Sequence, residues 1–139
     1  MIEIDPRTLA GRAGEEIGVS DWLEISQGRI DSFADATDDH QWIHVDPARA
    51  AADSPFETTV AHGFLTLALV PALLRATIRL PARMTLNYGS NRVRFVSPVP
   101  AGARIRGAVL NYVLYVFGAG TVLLALTYLY RSPLWGFPP

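Results

Sequence analysis

The segment FLTLALVPALLRATI, residues 64–78, is apolar around its whole circumference when wound at helical period. A helix of that kind has no polar face to turn to water, so it has to be covered on most sides. The reading is a helix that starts near His62-Gly63 and runs to about Arg79. It is kinked at Pro71, which lacks an N–H and clashes with the preceding turn. Beyond the helix the chain is β-like. MTLNYGSNRVRFV reads as a strand interrupted at Asn87-Tyr88-Gly89, SPVPAG as a turn, and ARIRGAVLNYVLYVF and TVLLALTYLYR as two strands joined at Gly118-Ala119-Gly120. One long buried helix with strands arriving after it predicts an α+β fold, with an antiparallel sheet wrapped around that helix.

Ahead of the helix the elements are shorter. GVSDWLEI, residues 18–25, is β-prone. Ser26 is placed to cap a helix through QGRIDSFADAT, whose Ile30, Phe33 and Ala34 share one face. Asp46-Pro47 is an N-cap followed by proline at the first helical position, opening PARAAAD. At 139 residues the chain reads as a single domain, 1–139.

Charge narrows the partners. The 12 basic residues are all arginine, against 13 acidic ones, so no strong field recruits nucleic acid. Cysteine is absent, which removes disulfides, thiolate metal sites and a cysteine nucleophile, and fits a reducing cytoplasm. The N-terminus MIEIDPRTLAGRAGEE shows no basic region followed by an apolar stretch, so no signal peptide is expected.

The polar chemistry gathers in DDHQWIHVD, residues 38–46, between two short helices. Its His40 and His44 stand four apart with Asp39 and Asp46 flanking them, a spacing that zinc can use on a helix. The segment is a connection ending at a cap, which favours polar loop histidines without metal. Asp39 and His44 are five apart, and a turn between them would set carboxylate and imidazole on two sides of one water. Spacing alone is a weak signal for that pairing and favours Asp39 capping a turn and His44 bonding backbone.

AHGFLT, residues 61–66, adds a second feature. Gly63 stands at the start of the apolar helix, where backbone N–H groups are unpaired and the dipole is positive. Glycine there lets a substrate carbonyl approach the backbone, and an N–H aimed at a developing oxyanion contributes roughly 3 kcal/mol. The other reading is a tight entry turn that needs glycine. His62 reads as packing or bonding locally rather than as a base.

FADATDDHQWIHVDPARAA, then SPFETTVAHGFLTLALVPALL, then MTLNYGSNRVRF with SPVPAGARIRG, resemble in order and spacing the MaoC-like hydratase/dehydratase family. The likeness extends over roughly 15–107 and is strongest to the nodulation-protein-N-like branch. It implies a hotdog fold, a homodimer, and a CoA or acyl carrier protein thioester as substrate. It further implies reversible hydration of trans-2-enoyl-CoA to (R)-3-hydroxyacyl-CoA, without metal or organic cofactor. Carried over residue by residue, the catalytic pair falls on Asp39 and His44, and the oxyanion-hole glycine on Gly63. Asn87, Gly89, Asn91 and Arg94 match a further family segment with a structural or pocket role, and Arg92 and Arg94 read as a solvated strand face. Alternatives are a hotdog thioesterase and a thioester-binding module without catalysis.

The chain departs from that pattern in three places. Asp38 stands where the family's T-G-D motif has glycine, which is expected to set a second acid beside Asp39 and reshape the turn. Glu57-Thr58 stand where small residues or glycine are common. Most of all, Ala108 to Tyr130 carries no charge over a length that matches a bilayer. That segment reads as a covered hairpin broken at Gly118-Ala119-Gly120, since Val, Tyr and Thr favour strands. Translation from a shifted frame and a membrane span through 108–130 are the other two readings.

Overall fold

The computed structural model describes residues 1–5, 8–9, 12–81, 93–112 and 123–127. Within these the order is β1 (Ile2–Glu3), β2 (Glu16–Val19), β3 (Leu23–Glu24), α1 (Gln27–Thr37), α2 (Trp42–Val45), α3 (Pro47–Asp53), α4 (Gly63–Ala68), α5 (Val70–Thr77), β4 (Ile78–Arg79), β5 (Arg104–Ile105), β6 (Ala108–Tyr112) and β7 (Leu123–Thr127). The mixed α+β composition is the one expected.

Local chemistry sets most of these boundaries. Ser26 caps α1 by accepting from Arg29 N–H, and Asp46 caps α3 through the Arg49 N–H at 3.0 Å, with Pro47 in the first turn. The expected single helix from 62 to 79 is two helices instead. Pro71 brings no N–H and collides with the turn before it, so α4 ends and α5 starts on either side of Leu69. Leu69 keeps αR geometry (φ −79°, ψ −14°), and the chain bends without leaving the helical region. The second helix stops at Thr77, and Ile78 is already extended (φ −124°, ψ 147°).

Three further expectations need correction. The strand expected over 18–25 is divided into β2 and β3 around Ser20, whose N–H donates to the Gly107 carbonyl (2.8 Å) while its hydroxyl donates to the Asp21 carbonyl and accepts from the Gly107 N–H. The connection expected at DDHQWIH contains a helical turn of its own, α2. Val93–Val96, the end of the strand expected after the helix, forms no strand among the described residues, and Arg94 there is exposed. The rest of that segment, with Asn87, Gly89, Asn91 and Arg92, lies outside the described residues.

Pairing is antiparallel for β2–β6, β6–β7 and β3–β5, in the three-stranded order β2-β6-β7 and a separate β3-β5 pair. Between β1 and β4 it is parallel, Ile2 opposite Ile78. Two apolar clusters hold these layers together. In one, Leu65 of α4 and Leu73 of α5 pack with Ile25, Ile30, Ala61 and Ile105. In the other, Ile4, Leu9, Ile17, Ile78 and Val109 pack with Leu74 alongside. The helix pair therefore buries Leu65, Thr66, Leu73 and Thr77, whereas Phe64, Ala68, Ala72 and Ala76 stay exposed. It is covered on one side of the chain rather than all round.

The uncharged C-terminal segment is a strand pair where it is described. Ala108 opposes Thr127 and the register runs unbroken to Tyr112 opposite Leu123. The hairpin reading accords with that register. The expected break at Gly118-Ala119-Gly120 lies outside the described residues. No helix among the described residues is long and apolar enough to cross a membrane.

Candidate active site

The C-terminal end of α1, the turn after it, and α2 converge on the start of α4. His44, on α2, is 8 % exposed, and its Nδ1 lies 2.6 Å from the Val60 carbonyl oxygen. A carbonyl only accepts, so Nδ1 carries the hydrogen and Nε2 is left with its lone pair free. The residues around Val60 are themselves fixed: Val60 N–H donates to the Ile43 carbonyl (3.0 Å), Ala61 N–H to Val99 (2.8 Å), and Ala101 N–H back to Thr59 (2.9 Å). From the other side, the Gln27 amide donates to the His44 carbonyl at 2.8 Å and to Asp31 at 2.7 Å, while Thr59 hydroxyl donates to Gln27 Oε1. His44 is thus held by its ring and by its backbone.

Asp39 follows the left-handed residue Asp38 (φ 56°, ψ 20°) that ends α1. Its side chain is 56 % exposed, facing the solvent side of the site. A carboxylate oxygen of Asp39 and a ring nitrogen of each of His44 and His62 all lie within 4.8 Å of one another. The turn between Asp39 and His44 brings together the two side chains that spacing alone left open.

His62 joins this cluster. It is 3 % exposed, its Nε2–H donates to the Asp39 backbone carbonyl at 2.9 Å, and the carboxylate Oδ2 is farther at 3.9 Å. Its ring stacks on that of His44, centroids 3.7 Å apart and planes at 27°, with Phe33 at 5.1 Å. Local bonding was the expectation for His62. The contact with both Asp39 and His44 was not, because no sequence spacing links position 62 to 39 or 44.

Three ligand-type groups this close also raise a metal reading. His62 Nε2, 3.9 Å from the Asp39 carboxylate, spends its hydrogen on the Asp39 carbonyl and so offers no lone pair to an ion from that nitrogen. His40 and Asp46 are outside the cluster. His40 Nε2 meets Asp35 at 2.9 Å on the surface, and this hydrogen bond raises its pKa above 6.5. Asp46 is occupied as the α3 cap.

Gly63 is the first residue of α4. Its N–H has no acceptor among the described residues, as the start of a helix dictates. The structure adds a packing reason for glycine here. A Cβ at this position would lie 2.9 Å from the Phe95 ring, so the absent side chain makes room for Phe95. With only six residues, α4 also adds a modest dipole, and the N–H itself is what Gly63 offers.

The MaoC like domain matches residues 8–112 of this sequence. The chain belongs to that family. Among the relatives of this MaoC-like chain is 3-hydroxyacyl-thioester dehydratase Z of Mycobacterium tuberculosis, 52 % identical over 115 residues, covering 82 % of the chain and 76 % of that protein. Nodulation protein N of Rhizobium leguminosarum bv. viciae is 50 % identical over 109 residues, 77 % of the chain and 68 % of that protein. Among solved structures, the R-hydratase PhaJ1 from Pseudomonas aeruginosa matches with TM-score 0.59 and 27 % identity, over 72 % of this chain and 61 % of that one. The MaoC-like chain has the hotdog α+β fold that its sequence led one to expect.

Proposed function

We propose that this MaoC-like chain is an (R)-specific enoyl-thioester hydratase, run in reverse as a 3-hydroxyacyl-thioester dehydratase, with Asp39 and His44 as its catalytic pair. The observation that carries the reading is the Asp39 carboxylate and the His44 ring within 4.8 Å, Nδ1 of His44 tied to Val60. That leaves Nε2 as a base pointed away from its anchor. The names of relatives, a 3-hydroxyacyl-thioester dehydratase and an R-hydratase, support the same reaction.

The chemistry needs one proton taken and one given. Asp39 orients a water, and His44 Nε2 removes its proton as the oxygen bonds to the β-carbon of the enoyl thioester. The electron pair of the double bond moves toward the thioester oxygen, where the Gly63 N–H is the proposed donor. The imidazolium then returns a proton to the α-carbon on the same face, giving the 3-hydroxyacyl thioester. Dehydration retraces these steps.

The substrate is an acyl-CoA or acyl carrier protein thioester, and the working unit is a homodimer in the cytoplasm. Support for a second copy comes from Phe64 and Phe95, which are 68 % and 51 % exposed and meet edge to face at 5.7 Å beside Gly63. An apolar pair left in water next to the site is a surface that another protomer would cover.

The test is purified protein with crotonyl-CoA, following loss of the enoyl absorbance and the product formed. The expected product is 3-hydroxybutyryl-CoA. Release of free CoA would show a thioesterase, and binding without turnover would show a thioester-binding module.

A further inference from the structure

His62 is bonded to one member of the proposed pair and stacked on the other, and it is also where α4 begins. Its carbonyl accepts from Leu65 N–H (3.1 Å) and Thr66 N–H (3.3 Å), and Gly63 is the next residue in the chain. One buried residue therefore reaches the backbone of Asp39 and the imidazole of His44 with its ring, while its own backbone forms the helix start that carries Gly63.

The partners dictate the hydrogen-bonding roles. The Asp39 carbonyl accepts, so Nε2 of His62 carries the hydrogen; Nδ1 is buried and has no partner among the described residues. A ring with one nitrogen committed to a carbonyl and the other sealed from water is poorly placed to exchange protons with substrate. It is well placed to fix neighbours. The hydrogen bond pins the turn after Asp38, whose side chains would otherwise swing with an exposed loop. The stacked face limits the tilt of the His44 ring about its Val60 anchor. The charged or titratable groups facing His62 among the described residues are Asp39 from the turn and His44 from α2. The group α1 contributes is the uncharged Phe33.

We propose that His62 is a positioning residue for the hydration reaction, holding Asp39 and His44 in register with each other and with Gly63. This rests on the hydratase reading above. Its effect belongs on kcat, because it sets the geometry of the reacting groups and does not touch the acyl chain. A displacement of the pair by an ångström is of the order that costs about 100-fold in rate.

The experiment compares His62→Leu, which removes ring and donor, with His62→Gln, which returns an N–H donor on a shorter arm. Leu65→Ala on the same helix serves as a stability control, and kcat, KM and the pH profile of kcat are measured for folded protein at equal concentration. For His62→Leu the expected result is a fall in kcat of roughly 30- to 100-fold with KM within about threefold, and for His62→Gln recovery to within about tenfold of wild type. The pH profile should move in His62→Leu and stay in place in Leu65→Ala. If His62→Leu keeps wild-type kcat, or loses activity only in step with its folded fraction as Leu65→Ala does, His62 is packing alone and the proposal is overturned. Wild type that hydrates crotonyl-CoA no faster than Asp39→Asn removes the hydratase reading, and this proposal with it. Wild type that is active, with Asp39→Asn inactive and His62→Leu unimpaired, removes only the role of His62.

Discussion

Asp38 and Glu57 both sit at φ 56°, in the left-handed region where a Cβ crowds the following carbonyl. These are the two places, one beside Asp39 and one ahead of VAHG, where the family pattern has glycine or small residues, and the positive φ accords with that. Asp38 occupies the position at which α1 must turn out of its helix, and the turn keeps that shape with an aspartate in it. The short Asp side chain tolerates this region better than Glu, which has no such local bonding. Replacing Glu57 by Gly is therefore expected to stabilise the protein by about 1 kcal/mol and Asp38→Gly by somewhat less, read from urea midpoints at constant slope. Destabilisation by either would contradict the strain assigned to these positions. His40 provides a pH test at the same scale. Its hydrogen bond to Asp35 raises its pKa in the folded state, so the stability it contributes is fully present below the ordinary value near 6.5. That contribution is lost as pH rises through the raised folded value. Chemical-shift titration should place His40 above an unfolded peptide reference, and His40→Ala should flatten this part of the pH–stability curve.

At the scale of elements, what the sequence made legible was governed by near neighbours. The Ser26 and Asp46 caps depend on side chains bonding N–H groups three residues on, so both could be read directly. Pro71 announced a break, and only its position relative to Leu69 had to come from the structure. Two-residue strands such as β1 and β4 were invisible, because two residues carry no alternation and their pairing joins the two ends of a long stretch of chain. For the proposed site, Asp39, His44 and Gly63 were named through family resemblance, whereas the spacing of Asp39 and His44 by itself favoured simple loop bonding over acid–base pairing. His62 and Gln27 were missed because their contacts are made across 23 and 17 residues of chain. Gln27 can be tested separately, since one amide serves the His44 carbonyl, Asp31 and the buried Thr59 hydroxyl. Gln27→Leu strands two of those groups away from water, and is expected to cost about 1–3 kcal/mol and to loosen α2 against α1. Unfolding measured by denaturant would show the loss. An unchanged midpoint would mean that these groups find water instead.

For the whole molecule, the hotdog architecture places a broken helix against strands and leaves the polar pair at the junction of α1, α2 and α4. The uncharged C-terminal stretch takes part in the fold through β6 and β7, whose register is continuous over the described residues. Its composition had pointed to several outcomes, because an apolar run of that length suits a covered strand pair and a membrane span alike; pairing partners, which composition does not encode, accord with the strand pair over the described residues. The central claim is that Asp39 and His44 act as one unit on a thioester substrate. The direct measurement is kcat/KM for crotonyl-CoA hydration by wild type, Asp39→Asn, His44→Gln and the double variant. Each single change is expected to lower it by at least about 100-fold, and the double variant to be about as slow as the slower single one, as groups serving one step behave. Single variants as fast as wild type, or losses that multiply in the double variant, would contradict a shared role for the pair.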